Sequence, residues 1–225
     1  MSSQIERLDW GLLDYQESLD RMRERHADRV RGKVGDAIIC VEHPRVFTLG
    51  KRGGRENIRL TDQELAEQGF AVYSVERGGN VTYHGPGQAV LYPVVDLKAN
   101  RIGVRALVEA VANSIVQVAG DYGLEAAYDP DRPGVWVNGA KLAAIGLAVP
   151  QKVTMHGLAF NVSTNLADFG LIKACGLDAH PTSLEVLLGR EVPMKEVFDR
   201  LFAALQTNLM LAGGSLEEAK ASLSA

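Results

Sequence analysis

Asn138-Gly139, set between two apolar stretches, constrains the fold of this chain more than any other dipeptide in it. Both residues tolerate positive φ, which a two-residue turn between antiparallel strands requires. Residues 134–137 and 140–149 are therefore expected to form a hairpin. Further apolar runs of strand length lie at 37–41, 46–49, 71–76, 88–96 and 153–162. Residues 11–30 and 104–122 repeat apolar side chains at helical spacing, and 62–69, 183–188 and 192–211 complete the helical segments. The strands come in hairpin-like groups broken by helices, without the regular alternation of a doubly wound sheet. This pattern predicts an α/β fold in the broad sense, with a mixed, mainly antiparallel sheet flanked by helices. No repeat, low-complexity tract or linker divides the sequence, so residues 1–225 are read as a single domain.

A chain that is 46% hydrophobic can build a substantial core. No apolar run approaches the roughly 20 residues that span a bilayer. The polar start, Met1 to Arg7, lacks the pattern of a signal peptide. A cytoplasmic protein that does not engage membranes is expected. Cys40 and Cys175, the only cysteines, are then separate thiols rather than a disulfide. A net charge of −4 argues against broad nucleic-acid binding, which needs clustered positive charge. One local exception exists: Arg45, Lys51, Arg52, Arg55 and Arg59 face a single acid, Glu56, across that stretch. It reads either as a docking patch for an acidic partner or as a solvated basic loop.

Chemistry concentrates between Arg77 and Tyr92, where four glycines, a proline, an arginine and a histidine separate two strands. Glycines let backbone N–H groups approach a bound group, and Arg77 and His84 add polar contacts. A ligand-binding loop and a tight connection with a satisfied histidine both fit. A phosphate loop does not, because no Gly-Lys-Ser/Thr closes the run. Cys40, inside Ile38-Ile39-Cys40-Val41, reads as a small buried hydrophobe; Cys175 precedes Gly176, an irregular backbone that leaves a sulfur approachable. Lys141 follows the hairpin turn. By strict alternation it shares a face with Ala143, Ile145 and Leu147, at a solvated strand end or in an apolar pocket. His156 is read as a hydrogen-bonded structural histidine.

Four blocks in this order, Arg77 to Tyr92, Gly139 to Gly146, His156 to Val162 and Cys175 to Leu177, resemble the lipoyl (octanoyl) transferases, the octanoyl-carrier-protein:protein N-octanoyltransferases. The likeness runs from about His43 to Ser183 and is most specific in its first block. It implies the catalytic fold of biotin protein ligases and lipoate ligases, with no metal and no cofactor. It implies a thioester on Cys175, activated by Lys141. Substrate contacts are implied for Arg77, Gly78, Gly79, Asn80, Val81, Thr82, Tyr83 and His84. The same holds for Ala144, Ile145 and Gly146, and for Gly157, Leu158 and Ala159. The implied partners are an octanoyl-acyl carrier protein and apo lipoyl domains of 2-oxoacid dehydrogenase complexes and the glycine cleavage H protein, met by a monomer. Two departures stand out: Ala174 replaces the usual proline before the cysteine, and Asn80 is uncommon in its loop. With proline absent, the backbone before the sulfur is less constrained.

Overall fold

The computed structural model describes residues 5–173 and 180–214. Among the described residues ten strands lie in two sheets: β1 (Glu6–Leu12), β2 (Ala37–Glu42), β3 (Val46–Leu49), β4 (Ala71–Ser74), β5 (Val81–His84), β6 (Gln88–Val94), β7 (Ala126–Tyr128), β8 (Gly134–Val137), β9 (Ala140–Ala148) and β10 (Met155–Asn161). The helices are α1 (Tyr15–Val30), α2 (Asp62–Glu67), α3 (Val104–Asp121), α4 (Leu184–Leu188) and α5 (Met194–Ala212). The large sheet has the order β1-β2-β6-β10-β9-β8-β7 and is antiparallel except for β1–β2. A small sheet, β4-β3-β5, joins one parallel and one antiparallel pair. The mixed, mainly antiparallel arrangement follows the expectation from sequence.

The central strands are apolar along most of their length because both of their faces are covered. In β2, Ile38 and Cys40 join a core formed with α3 and α5, whereas Ile39 and Val41 join one formed with Tyr15, Leu19 and Met22 of α1. In β6, Leu91 faces the first core and Val90 and Tyr92 the second; in β10, Phe160 and Ala159 divide in the same way. A third core lies under the small sheet, where Phe47, Phe70 and Tyr83 pack together. No helix among the described residues is long and apolar enough to cross a membrane.

The Asn138-Gly139 hairpin forms as expected, with φ of 49° and 78°. Three strands escaped the sequence pattern. In β1, Leu8, Trp10 and Leu12 alternate, but Leu12 also continues the helical spacing of Tyr15, Leu19 and Met22. Asp14 separates the two elements, its carboxylate accepting the Gln16 and Glu17 amides and so starting α1. The other two are β5, hidden inside the glycine-rich connection, and β7, only three residues long. A register shift between Val135 and Trp136 also breaks the alternation assumed for Lys141, so Leu142 and Ala143 both enter the core.

The basic run at 45–59 is not one patch. Arg45 pairs with buried Asp168 at 2.7 Å and lies over the Phe70 ring. Arg55 pairs with Asp62 at 2.8 Å and donates to the Leu60 carbonyl. Both arginines thus secure local structure.

Close packing at the sheet centre gives a direct test. A Cβ at Gly157 would strike the Leu91 carbonyl oxygen and lie 2.7 Å from Pro93 Cδ. Gly157→Ala should force β10 away from β6 and lower stability by about 1–3 kcal/mol in urea denaturation.

Candidate active site

Arg77 organises the site. It is almost fully buried; its Nη2 donates to the Thr48 carbonyl at 2.6 Å and to Thr48 Oγ1 at 2.9 Å, and its Nη1 donates to the Gly78 carbonyl. The loop it opens bonds on both sides. Gly78 N–H donates to the Leu147 carbonyl of β9, while Lys51 and Arg52 N–H groups donate to the Arg77 and Gly79 carbonyls. This loop and β9 border a cleft of about 910 Å³.

Ten of the site residues implied by the resemblance line that cleft: Arg77, Gly78, Gly79, Asn80, Val81 and Thr82 from the loop and β5, Lys141, Ala144 and Ile145 from β9, and Ala159 from β10. His84, Gly146, Gly157 and Leu158 line an adjoining cavity of about 40 Å³, which shares Arg77, Thr82, Ala144, Ile145 and Ala159 with the cleft. Tyr83 lies elsewhere. Its ring is buried in the small-sheet core against Phe47 and Phe169, so among residues 77–84 it alone borders neither space. Cys175 lies outside the described residues.

Lys141 sits half-buried where β9 enters the cleft, its Nζ 5.5 Å from the centre of the Trp136 ring. Gly134 makes room for it: a Cβ there would collide with Lys141 Cε and lie 2.6 Å from the Ala143 carbonyl. The strand also holds the returning chain, since Lys141 N–H donates to the His180 carbonyl at 2.8 Å and Thr182 N–H donates to the Lys141 carbonyl at 3.0 Å. Lys173 and His180, which bracket the segment containing Cys175, both line the cleft.

Behind the loop runs a buried polar chain. Gln88 Nε2 donates to the Tyr83 carbonyl and to Asn161 Oδ1, and Asn161 Nδ2 donates to the Thr182 carbonyl. With both amide protons of Gln88 placed, its Oε1 accepts from His84 Nδ1–H at 2.7 Å, which fixes the tautomer. Sequence reading missed Gln88 and Asn161. Their signal was available, because each is a polar residue at the end of a largely apolar strand. Tyr15, Tyr92 and Trp136 were also missed; Tyr15 reads as one of the apolar face of α1 and the other two as aromatics among apolar neighbours, so none carries a distinguishing mark.

Three histidines are buried here. His43 Nδ1–H donates to the Leu13 carbonyl and Nε2 accepts from Tyr92 Oη; burial pulls its pKa down to about 4. Burial, with His43 and Arg77 nearby, lowers His84 to about 3. His156 differs from expectation. It has a left-handed φ of 57°, and its Nε2 lies 3.6 Å from Glu76 Oε2 without a hydrogen bond. Burial lowers its pKa too, against the opposing pull of Glu76. Among the described residues no cluster of His, Cys, Asp and Glu is arranged to hold a metal.

These depressed values carry a sign. Below the unfolded pKa of about 6.5 the unfolded chain takes up protons that the buried imidazoles refuse, so stability falls as pH falls from 6.5 towards 4. The slope should be roughly 1.4 kcal/mol per pH unit for each such histidine. Urea denaturation between pH 7.5 and 4.5 measures it, and His84→Gln should flatten the curve.

Comparison with known proteins agrees with this geometry. A family model described as the lipoyl protein ligase A/B catalytic domain matches residues 14–206. An octanoyltransferase of Syntrophobacter fumaroxidans is 44% identical over 191 residues, covering 84% of this chain and 84% of that protein. A solved lipoate-protein ligase A bound with ATP shares the fold with TM-score 0.73 at 14% identity, over 92% of this chain and 85% of its own. The biotin protein ligase from Aquifex aeolicus gives TM-score 0.53 at 12% identity, over 99% of this chain and 76% of its own. The chain belongs to the lipoyl protein ligase A/B catalytic domain family and, within it, to the octanoyltransferases.

Proposed function

We propose that this protein transfers an octanoyl group from the pantetheine thioester of an acyl carrier protein to a lysine of a lipoyl domain, with Cys175 as covalent relay. One observation carries the reading. The Lys141 side chain lies in a cleft whose lining also includes the glycine-rich loop and both residues that flank the cysteine segment, Lys173 and His180.

In the first half-reaction the Cys175 sulfur attacks the thioester carbonyl, and the pantetheine sulfur leaves with the proton. One thioester replaces another, so the step is close to balanced. A free thiol has a pKa of about 8.5, and the neighbouring Lys141 ammonium raises its thiolate fraction. In the second, the acceptor amine attacks the acyl-enzyme, an amide forms, and the Cys175 sulfur leaves. The amide is the more stable product, so this step commits the reaction and no ATP is needed. The incoming ammonium, with a pKa of about 10.4, must first lose a proton. His84 is a poor acceptor for it: its pKa is about 3 and its Nδ1 is already engaged by Gln88. Lys141 is the base this site offers. The 44% identical octanoyltransferase supports octanoyl as the group transferred.

The acyl chain runs from Lys141 along β9 toward Gly146. A Cβ at Gly146 would lie 3.1 Å from Arg77 Cδ, so a larger side chain there fills the inner end of the pocket. Gly146→Leu should therefore reduce octanoyl transfer by about tenfold or more and butyryl transfer far less. Equal losses in steady-state assays would refute that path.

Intact-mass spectrometry tests the relay itself. Wild type incubated with octanoyl-carrier protein should gain a single octanoyl group and lose it to an added apo lipoyl domain. Cys175→Ser should gain none. A lipoyl domain modified without any enzyme adduct, or only when ATP is supplied, would overturn the relay.

A further inference from the structure

The mouth of the cleft carries more positive charge than acyl transfer requires. Among the described residues that line it, six are Arg or Lys and only Asp131 is acidic. Three of the six already have duties. Arg77 is held by Thr48, Lys141 faces the reacting thiol in the reading above, and Arg132 pairs with Asp129 at 2.7 Å and lies over the Trp136 ring. Arg52, Arg59 and Lys173 remain. All are exposed, and no side chain of the three makes an ion pair or hydrogen bond with any described residue. The contrast with Arg45 and Arg55, both locked by carboxylates in the same stretch, is direct.

Their backbone is fixed even though their side chains are not engaged. Ile58 and Ile172, both buried, form an antiparallel bridge, flanked by Arg59 N–H donating to the Leu171 carbonyl at 2.9 Å and Lys173 N–H donating to the Asn57 carbonyl at 2.7 Å. With the isoleucines turned inward, pleating turns Arg59 and Lys173 the other way, toward solvent and the cleft. Arg52, also in the cleft lining, is fixed by its N–H donating to the Gly79 carbonyl at 3.0 Å. Two hydrogen-bonded pairings thus bring two guanidiniums and an ammonium to one rim. Guanidinium groups suit phosphate oxygens because they can present two parallel N–H donors. A cleft of about 910 Å³ also has room for more than an eight-carbon chain.

We propose that Arg52, Arg59 and Lys173 form a phosphodiester subsite, which grips the phosphate of the pantetheine arm while its thioester reaches Lys141. The inference rests on the reading that the donor is an acyl-pantetheine. The subsite recognises the phosphate of the arm itself. It therefore acts on a free octanoyl-phosphopantetheine as well as on the arm of a carrier protein.

The test compares three donors in transfer to an apo lipoyl domain: octanoyl-carrier protein, octanoyl-phosphopantetheine and octanoyl-pantetheine, which lacks the phosphate. Wild type, Arg52→Ala/Arg59→Ala and Lys173→Ala are assayed at low and at physiological salt. The variants should raise KM about tenfold for both phosphorylated donors, leave kcat unchanged, and leave octanoyl-pantetheine unaffected. Equal loss with and without the phosphate would overturn the proposal, as would no loss at low salt. So would a loss confined to the whole carrier protein, which would make these cations a dock for its acidic surface. Failure of the underlying reading looks different: wild type would then transfer octanoyl from none of the three donors.

Discussion

A buried guanidinium must have its donors satisfied, and the way Arg77 meets that demand ties the two sheets together. Thr48 in β3 accepts from it on the small-sheet side. Gly78, the next residue, reaches the opposite way and bonds to β9 of the large sheet. The wall between the cleft and the inner cavity is therefore a by-product of solvating one side chain with protein. The glycine-rich run can wander only as far as those bonds allow. A flexible sequence becomes a fixed surface, which is what a site needs if reacting groups are to meet at the right distance.

Much of this was legible beforehand. The Asn138-Gly139 turn announced the hairpin that delivers Lys141, and the glycine-rich run from Arg77 announced the irregular backbone that borders the cleft. Local signals of that kind survive because the conformation they require is decided within a few residues. What the pattern hid depends on partners far away in sequence. β5 looks like loop until β3 supplies its hydrogen bonds, and the exact side on which Lys141 falls depends on a register shift set by the neighbouring strand. The run at 45–59 shows the same limit. Its five basic residues look alike in the sequence, yet Asp168, more than a hundred positions later, separates Arg45 from the others.

The inner cavity has an unusual lining for a space so deep in the protein. Tyr15, His84, Tyr92 and His156 surround it, and the rings of Tyr15 and His84 stack 6.0 Å apart. Neutral imidazoles make this lining tolerable. With pKa values held far below the usual range by burial, His43 and His84 behave as flat, weakly polar groups rather than cations. The cost appears in acid, where the same burial turns against the fold.

The order of strands in the large sheet places β6 beside β10, joining residues 88–91 to residues 158–161 through four register pairs. Contacts between segments so far apart in the chain form late, because a long loop must close before they can reward it. The cleft is built from segments on both sides of that closure, with the loop from Arg77 arriving from one and β9 from the other. During synthesis, then, the first half of the chain emerges with a complete glycine-rich loop but nothing opposite it. Only a chain that has closed both this pairing and the Ile58–Ile172 bridge brings the loop, Lys141 and the facing strands to one cleft, so completion of the fold and assembly of the cleft are one event.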